Sequence, residues 1–462
     1  MKKRVFVLRS SIQAPIENVF SWHGRAGAIQ RLTPPWSPLT LISKSGNGIE
    51  KGVAVRLKLR ILGIFFHWDA EHIQYQKNVK FVDQQIKGPF AFWRHHHIFH
   101  SKGENTTIME DRVEYKLPFG PLAWPFYGFA KKEFTRMFAY RHRVLNWSLA
   151  QYTDGKKMRI LISGASGTMG SALVPFLRTC GHEVITLVRH RDKTGPEALF
   201  WDPDQGILDL EDAGPLDAVI NLNGMDISRG RWTATRRKKI MDSRVKTTRL
   251  LSEKMVSLKK PPRVFISSSA IGYYGEGGKA VLTEEDGSGD AFISRVCREW
   301  ERASFIAQEG GIRTVQLRIG VVLTPGGGAL QRMLLPFKFG AGTRLSHGRQ
   351  FVSWISMEDV LGGILHILNQ PGIHGPVNLT APHPVSNKRL TQTLGRVLSR
   401  PAFFVMPAWV AKLLWGEMGQ ETLLTSARVM PTKLMESGFE FVLPKLSSAL
   451  AHMLGITLKD DQ

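Results

Sequence analysis

Apolar residues between positions 158 and 319 fall into short blocks separated by longer stretches of helical period. Residues 160–162 and 184–188 are apolar runs, and the segment between them, through Cys180, repeats every three to four residues. Further apolar runs around 217–224, 263–269 and 314–319 alternate with helix-like stretches at 235–258 and 292–308. Strand–helix alternation of this kind predicts a doubly wound parallel α/β sheet. The first 150 residues have a different texture. Strand-like segments at 4–12, 53–59, 67–75, 80–85, 90–100 and 106–117 are separated by turn-rich pieces such as 45–48 and 101–105. A short helix is expected at 15–22. A long one is expected at 130–151, with Phe134, Met137, Phe138, Val144, Leu145 and Leu149 along one side. One strand, a short helix, a run of antiparallel strands and a closing helix predict an α+β sheet wrapped around a helix, enclosing an apolar cavity.

From residue 376 the pattern turns mainly helical, punctuated by Pro401, Pro407, Pro431 and Pro444. The expected division is therefore 1–152 for the α+β domain, 153–157 for a polar connector, 158–375 for the parallel-sheet domain and 376–455 for a small helical cap.

The first strand of the parallel-sheet domain runs into Gly164-x-x-Gly167-x-x-Gly170, followed by the helix and a second strand. This order marks the phosphate-binding turn of a dinucleotide fold. Glycine at 164 and 167 permits a tight turn and close backbone approach to a pyrophosphate. Glycine at 170 permits close helix packing. Ser166, Thr168 and Met169 complete the cradle at the helix start, where free N–H groups attract anions. Where an NAD site carries an acidic residue after its second strand, this chain has Val188 followed by Arg189-His190-Arg191. Guanidinium groups suit a ribose 2′-phosphate, so NADP is expected over NAD, with Arg189 as its contact. Ligands in such sheets lie at the carboxyl ends of strands, which adds Asn223, Gly224, Ser267 and Ser268 to the cofactor set.

Two resemblances accompany these readings. Trp93-Arg94-His95-His96-His97-Ile98-Phe99 and Asp111-Arg112-Val113-Glu114-Tyr115-x-Leu117-Pro118-x-Gly120, in their order within residues 1–150, resemble the START-like helix-grip (SRPBCC, polyketide cyclase/dehydrase-type) superfamily. That resemblance implies a pocket for an apolar ligand. Residues 158–455 resemble the atypical "epimerase family protein" branch of the extended short-chain dehydrogenases/reductases. The shared motifs run from Ser163–Gly170 and Val219–Gly224 through Ser267–Gly275 and Leu317–Leu323. They end with Gly348-Arg349-Gln350-x-x-Ser353-Trp354-Ile355 and Leu434-x-x-x-Gly438-Phe439-x-Phe441.

The second resemblance implies a Rossmann-like domain, NADP and hydride chemistry on a small-molecule substrate. In such enzymes a Ser orients the substrate oxygen, and a Tyr moves its proton with help from a Lys one helical turn on. Ser269 matches the Ser. The Tyr-x-x-x-Lys pair is absent from the helix at 292–308, where Phe292-Ile293-Ser294-Arg295 stands. Tyr127-x-x-x-Lys131 and Tyr152-x-x-x-Lys156 precede the cofactor motif and are spurious. Tyr273 or Tyr274 is the expected replacement acid, tuned by Arg295 or Lys279; packing against the nicotinamide is the other role open to these tyrosines. The alternative function is a nucleotide-binding regulatory or scaffold protein without turnover.

Composition narrows the remaining classes. The 462 residues carry a net charge of +23, more than half of it in the first 157 residues. The basic residues are scattered and no nucleic-acid recognition motif accompanies them, so specific nucleic-acid binding is not expected. Two cysteines make no disulfide framework. Without a secretory signal or an apolar run of spanning length, a cytoplasmic location is expected. His95 and His97 share one strand face, but no acidic or cysteine partner stands nearby in sequence, so no metal is expected.

Overall fold

A computed structural model of the chain describes residues 3–37, 39–61, 64–151 and 157–457. The chain forms two compact units. One holds the residues up to Lys156 together with Pro175–Gly181 and His452–Thr457; the other holds Lys157–Val174 and His182–Ala451. Of the expected connector at 153–157, all but Lys157 lies outside the described residues, as do Tyr152 and Lys156.

The first unit contains β1 (Arg4–Ile12), α1 (Ile16–Gly24), α2 (Ala28–Leu32) and β2 (Leu39–Lys44). They are followed by β3 (Ala54–Ile61), β4 (Ile64–Gln76), β5 (Lys80–Lys87), β6 (Phe92–Ser101), β7 (Thr107–Lys116) and α3 (Phe126–Ala150). The sheet is antiparallel, in the order β1-β7-β6-β5-β4-β3-β2. Register shifts in β2 and β4 bend it. Phe134, Phe138, His142, Leu145 and Leu149 are buried on α3 at helical spacing, so one stripe of the helix meets the sheet. Expected and observed elements coincide within a few residues, except that β2 and α2 have no counterpart in the expectation. Their short segments, LTLISK and AIQRL, are too brief to display a period. The helix-grip architecture is the one expected.

The second unit carries β8 (Arg159–Ser163), α4 (Gly170–Thr179), β9 (Glu183–Val188), β10 (Ala198–Asp202), β11 (Ile207–Leu208) and β12 (Ala218–Asn221). It continues with α5 (Ala234–Val256), β13 (Val264–Ala270), α6 (Phe292–Glu309) and the strands Arg313–Ile319 and Gly375–Leu379. The eight strands lie in the order β11-β10-β9-β8-β12-β13, then Arg313–Ile319, then Gly375–Leu379; all but β11 are parallel. Strand order reverses between β8 and β12, the switch point at which such sheets bind ligands. The boundary expected at residue 375 cuts into the last of these strands. The region after it is less purely helical than expected, with short strands at Phe404–Met406 and Arg428–Val429. No helix among the described residues is long and apolar enough to cross a membrane.

Candidate functional site

The backbone leaving β8 turns at Gly164 with φ of +75°. A Cβ there would lie 2.7 Å from the carbonyl carbon and oxygen of Leu222, just past β12, so both conformation and space require glycine. A Cβ at Gly170 would lie 2.3 Å from Gly164 O and 2.6 Å from Ala165 Cα, so the start of α4 packs on the loop's own backbone. Gly167 is different: a Cβ would meet only Gly164 O, at 3.2 Å, and otherwise open space. Ser166 and Thr168 are exposed, Met169 is half-buried, and their amides have no hydrogen-bond acceptor among the described residues. The loop therefore offers unsatisfied N–H groups beside a helix start, a ready anion cradle. A second glycine run, Pro325-Gly326-Gly327-Gly328, rests on it; a Cβ at Gly327 would come within 2.6 Å of Thr168 Oγ1. This run was missed from sequence, although three successive glycines after an apolar block were its signal.

At the strand ends, Asn221 Oδ1 accepts from Ser163 Oγ and Asn223 Nδ2, both at 2.9 Å, and Asn221 Nδ2 donates to Thr248 Oγ1 at 2.7 Å. Asn223 is thus braced by the strand beside the glycine loop. Ser267 Oγ lies 3.5 Å from Asn221 Nδ2. Ser268 Oγ is buried without a hydrogen-bond partner among the described residues, a hydroxyl left for a ligand to satisfy. Gly224 lies against the Arg244 guanidinium, 3.2 Å from its would-be Cβ. Arg244 donates to the carbonyls of Met225 (3.0 Å) and Ile240 (3.1 Å); its burial lowers its pKa to about 10. Arg189 is exposed immediately after β9, and the Arg191 guanidinium stands 4.0 Å over the Phe200 ring. Open amides, the orphaned Ser268 hydroxyl and the absence of a carboxylate at the end of β9 fit a phosphorylated dinucleotide.

Beyond this cradle lies a buried ionic network. Glu301 on α6 accepts from Ser269 Oγ at 2.7 Å and from Arg318 Nε and a terminal nitrogen, both at 3.0 Å. The other arm of Arg318 donates to Tyr274 Oη at 3.0 Å, and Tyr274 donates to Asn378 Oδ1 at 2.7 Å. Burial opposes the Arg318 charge, but hydrogen bonding and attraction from Glu301 outweigh it and hold the guanidinium above its ordinary pKa. Burial pushes the Tyr274 phenol up to about 12. Tyr273 is only half-buried, with Arg318 3.6 Å above its ring, and its hydroxyl has no hydrogen-bond partner among the described residues. The cation beside the two tyrosines is therefore Arg318, not Arg295 or Lys279, which are exposed. Parallel pairing of β13 with Arg313–Ile319 places Arg318 opposite Ser269, a relation that depends on sheet register. Tyr127, of the spurious Tyr127/Lys131 pair, lies buried at the start of α3, its hydroxyl accepting from Leu117 N at 3.3 Å.

The expectation about the strand histidines needs correction. Antiparallel register puts Asp83 opposite His95 and Asp111 opposite His97, so two carboxylates from neighbouring strands meet the imidazoles. The acidic partners absent along the sequence are supplied by the sheet.

Comparison with known proteins finds relatives for separate stretches of the chain. Residues 160–379 match the NAD dependent epimerase/dehydratase family, residues 12–143 the polyketide cyclase/dehydrase and lipid transport family, and residues 406–453 a domain of unknown function. An epimerase family protein of Mycobacterium bovis is 39% identical over 293 residues, 63% of this chain and 96% of the relative. The human epimerase family protein SDR39U1 is 34% identical over 64% of this chain and 100% of its own length. Its crystal structure with NADPH superposes with a TM-score of 0.59. The nucleoside-diphosphate sugar epimerase from Corynebacterium glutamicum, 31% identical, aligns over 97% of this chain and 90% of its own with a TM-score of 0.79.

Proposed function

Since the chain belongs to the NAD dependent epimerase/dehydratase family, we propose that it is an NADP(H)-dependent epimerase-like oxidoreductase acting on a small molecule, with the N-terminal unit as an accessory domain for an apolar ligand. The observation that carries the reading is the glycine loop at the switch point, with open amides, and an arginine just after the strand end where an NAD site has a carboxylate and this chain has Val188. Ser166, Gly167, Thr168 and Met169 hold the pyrophosphate, Arg189 the 2′-phosphate, and Asn223, Gly224, Ser267 and Ser268 line the strand ends. Bound NADP(H) supplies hydride exchange at its nicotinamide.

Tyr273 is the residue best placed to move a proton, because its hydroxyl is uncommitted and Arg318 stands over its ring. Tyr274 and Ser269 spend their protons on Asn378 and Glu301; they fix the pocket wall, and Ser269 keeps lone pairs to receive a substrate hydroxyl. Titration with NADPH and NADH should show a clear preference for NADPH that Arg189→Ala reduces at least about tenfold, one charge-assisted contact being worth about 1.5–3 kcal/mol. Equal affinity for both nucleotides would remove the Arg189 argument. Following NADPH oxidation with a panel of carbonyl compounds, and epimer interconversion of nucleoside-diphosphate sugars in the presence of NADP⁺, should show Tyr273→Phe slower by about 10²–10⁴. Unchanged turnover in both Tyr273→Phe and Tyr274→Phe would take the tyrosines out of the chemistry.

A second reading is favoured by the same network. With no Tyr-x-x-x-Lys on α6 and two of three hydroxyls committed to buried partners, the unit is suited to bind nucleotide as a regulator without turnover. Tight NADPH binding with neither carbonyl reduction nor sugar epimerisation on any panel member is the outcome that selects it.

A further inference from the structure

The interior of the N-terminal unit holds a polar cluster between two apolar ones. Phe6, Trp93, Val113, Phe134 and Phe138 pack on one side, and Val19, Phe20, Phe81, Phe99 and Leu145 on the other. The His95 ring touches the first group, 5.0 Å from Phe138, while His97 stacks on Phe81 of the second at 4.0 Å. Between them Asp83 Oδ2 lies 3.4 Å from His95 Nδ1 and 3.2 Å from His97 Nε2. One ligand atom from each of these three residues falls within 4.8 Å of the others. A tetrahedral ion with bonds of about 2.0–2.1 Å has ligand–ligand edges of about 3.3 Å, which the two measured separations match.

The far sides of both imidazoles have a common partner. His95 Nε2 lies 2.8 Å and His97 Nδ1 3.1 Å from the same oxygen, Asp111 Oδ1. The other oxygen of Asp111 is 2.6 Å from His142 Nε2, and His142 Nδ1 is 2.6 Å from Ser10 Oγ. A carboxylate accepting the outer N–H of His95 is the arrangement that fixes a metal-binding tautomer and raises ligand basicity, while His97 Nδ1 stands near the same oxygen without a hydrogen bond to it among the described residues. We propose that Asp83 Oδ2, His95 Nδ1 and His97 Nε2 form a binding site for a divalent transition-metal ion, with Asp111 and His142 orienting the histidines.

His23 supplies a second, separate observation. It is buried, its Nδ1–H donates to Val19 O at 2.8 Å, and its Nε2 has no hydrogen-bond partner among the described residues. Its ring centre lies 5.9 Å from that of His97. His23 thus borders the cluster with an uncommitted ring nitrogen, outside the three residues whose ligand atoms fall within 4.8 Å of one another. Two imidazoles and one carboxylate suit zinc and ferrous iron alike and leave coordination positions open for a ligand. All three residues belong to the first unit.

The test uses full-length, tag-free protein stripped with a chelator, then titrated with Zn²⁺ by calorimetry and with Co²⁺ by visible absorption. One equivalent per chain is expected, and X-ray absorption of the zinc-loaded protein should show two imidazoles and oxygen. His97→Gln and Asp83→Asn should each weaken binding at least about 100-fold, and His142→Gln by about 10–100-fold, with NADPH affinity unchanged in all three. A variant whose N-terminal unit loses its fold by circular dichroism is set aside in favour of the wild-type X-ray absorption spectrum. Absence of stoichiometric uptake by folded wild-type protein, a spectrum without two imidazoles, or undiminished affinity in a folded His97→Gln variant overturns the proposal and leaves the cluster as an ion-paired core.

Discussion

Glu301→Gln tests whether the Ser269–Glu301–Arg318–Tyr274 network holds the site together. Both partners of the ion pair are almost fully buried, with side chains 4% and 8% exposed, and their bonds are both 3.0 Å. Replacing the carboxylate by an amide leaves Arg318 charged in a dry interior, and breaking a buried pair in this way costs about 3–5 kcal/mol. The glutamine oxygen still accepts from Ser269 and from one Arg318 nitrogen, so the lower end, about 3 kcal/mol, is expected. At about 2 °C per kcal/mol for a large domain, the transition should fall by about 6 °C. Calorimetry of the two-unit chain resolves this if the nucleotide-binding unit is identified by its upward shift on adding NADPH. Arg318→Met should cost about 4 kcal/mol, since Glu301 then keeps Ser269 as a partner but no counter-charge. The double variant should cost about 2–3 kcal/mol less than the sum of the two, because it buries neither charge alone. Additivity within about 0.5 kcal/mol would refute the network as the source of the stability.

Three further outcomes are expected from the geometry of the nucleotide-binding unit. Gly164→Ala should lower stability by about 2 kcal/mol or more and abolish NADPH binding, since a left-handed backbone angle and a 2.7 Å approach to Leu222 both oppose a side chain. Gly167→Ala should leave unfolding within about 0.5 kcal/mol of wild type yet weaken NADPH binding, because its methyl group enters only the open face of the cradle; unaltered affinity would place the phosphates elsewhere. Asp359, fully buried behind Ser356 and the amides of Val442 and Leu443, has its pKa raised by that burial from 3.8 to about 6. A raised carboxylate stabilises the fold below its unfolded value and ceases to as pH climbs through the folded one. Unfolding free energy should therefore fall by about 3 kcal/mol across that window. Asp359→Asn should flatten the slope in a series of urea titrations, and an unchanged slope would assign the proton elsewhere.

The order of strands and helices, the glycine loop, the arginine after the second strand and the two-part architecture were legible in the linear chain. Each depends on residues close in sequence: a period of two or of three to four, a turn that tolerates only glycine, an apolar run of strand length. The sheet's register decided the rest. Arg318 faces Ser269 because two parallel strands align there, so the cation beside the tyrosines is one that neighbouring residues such as Arg295 could not reveal. Asp83 and Asp111 meet His95 and His97 because three antiparallel strands lie side by side, which turns histidines without local acidic partners into the centre of a buried cluster. Local pattern is written by backbone geometry over a few residues. Which charged groups share a dry interior is set by long-range pairing, and in such an interior an unpartnered charge is costly enough that the partner defines what the residue does.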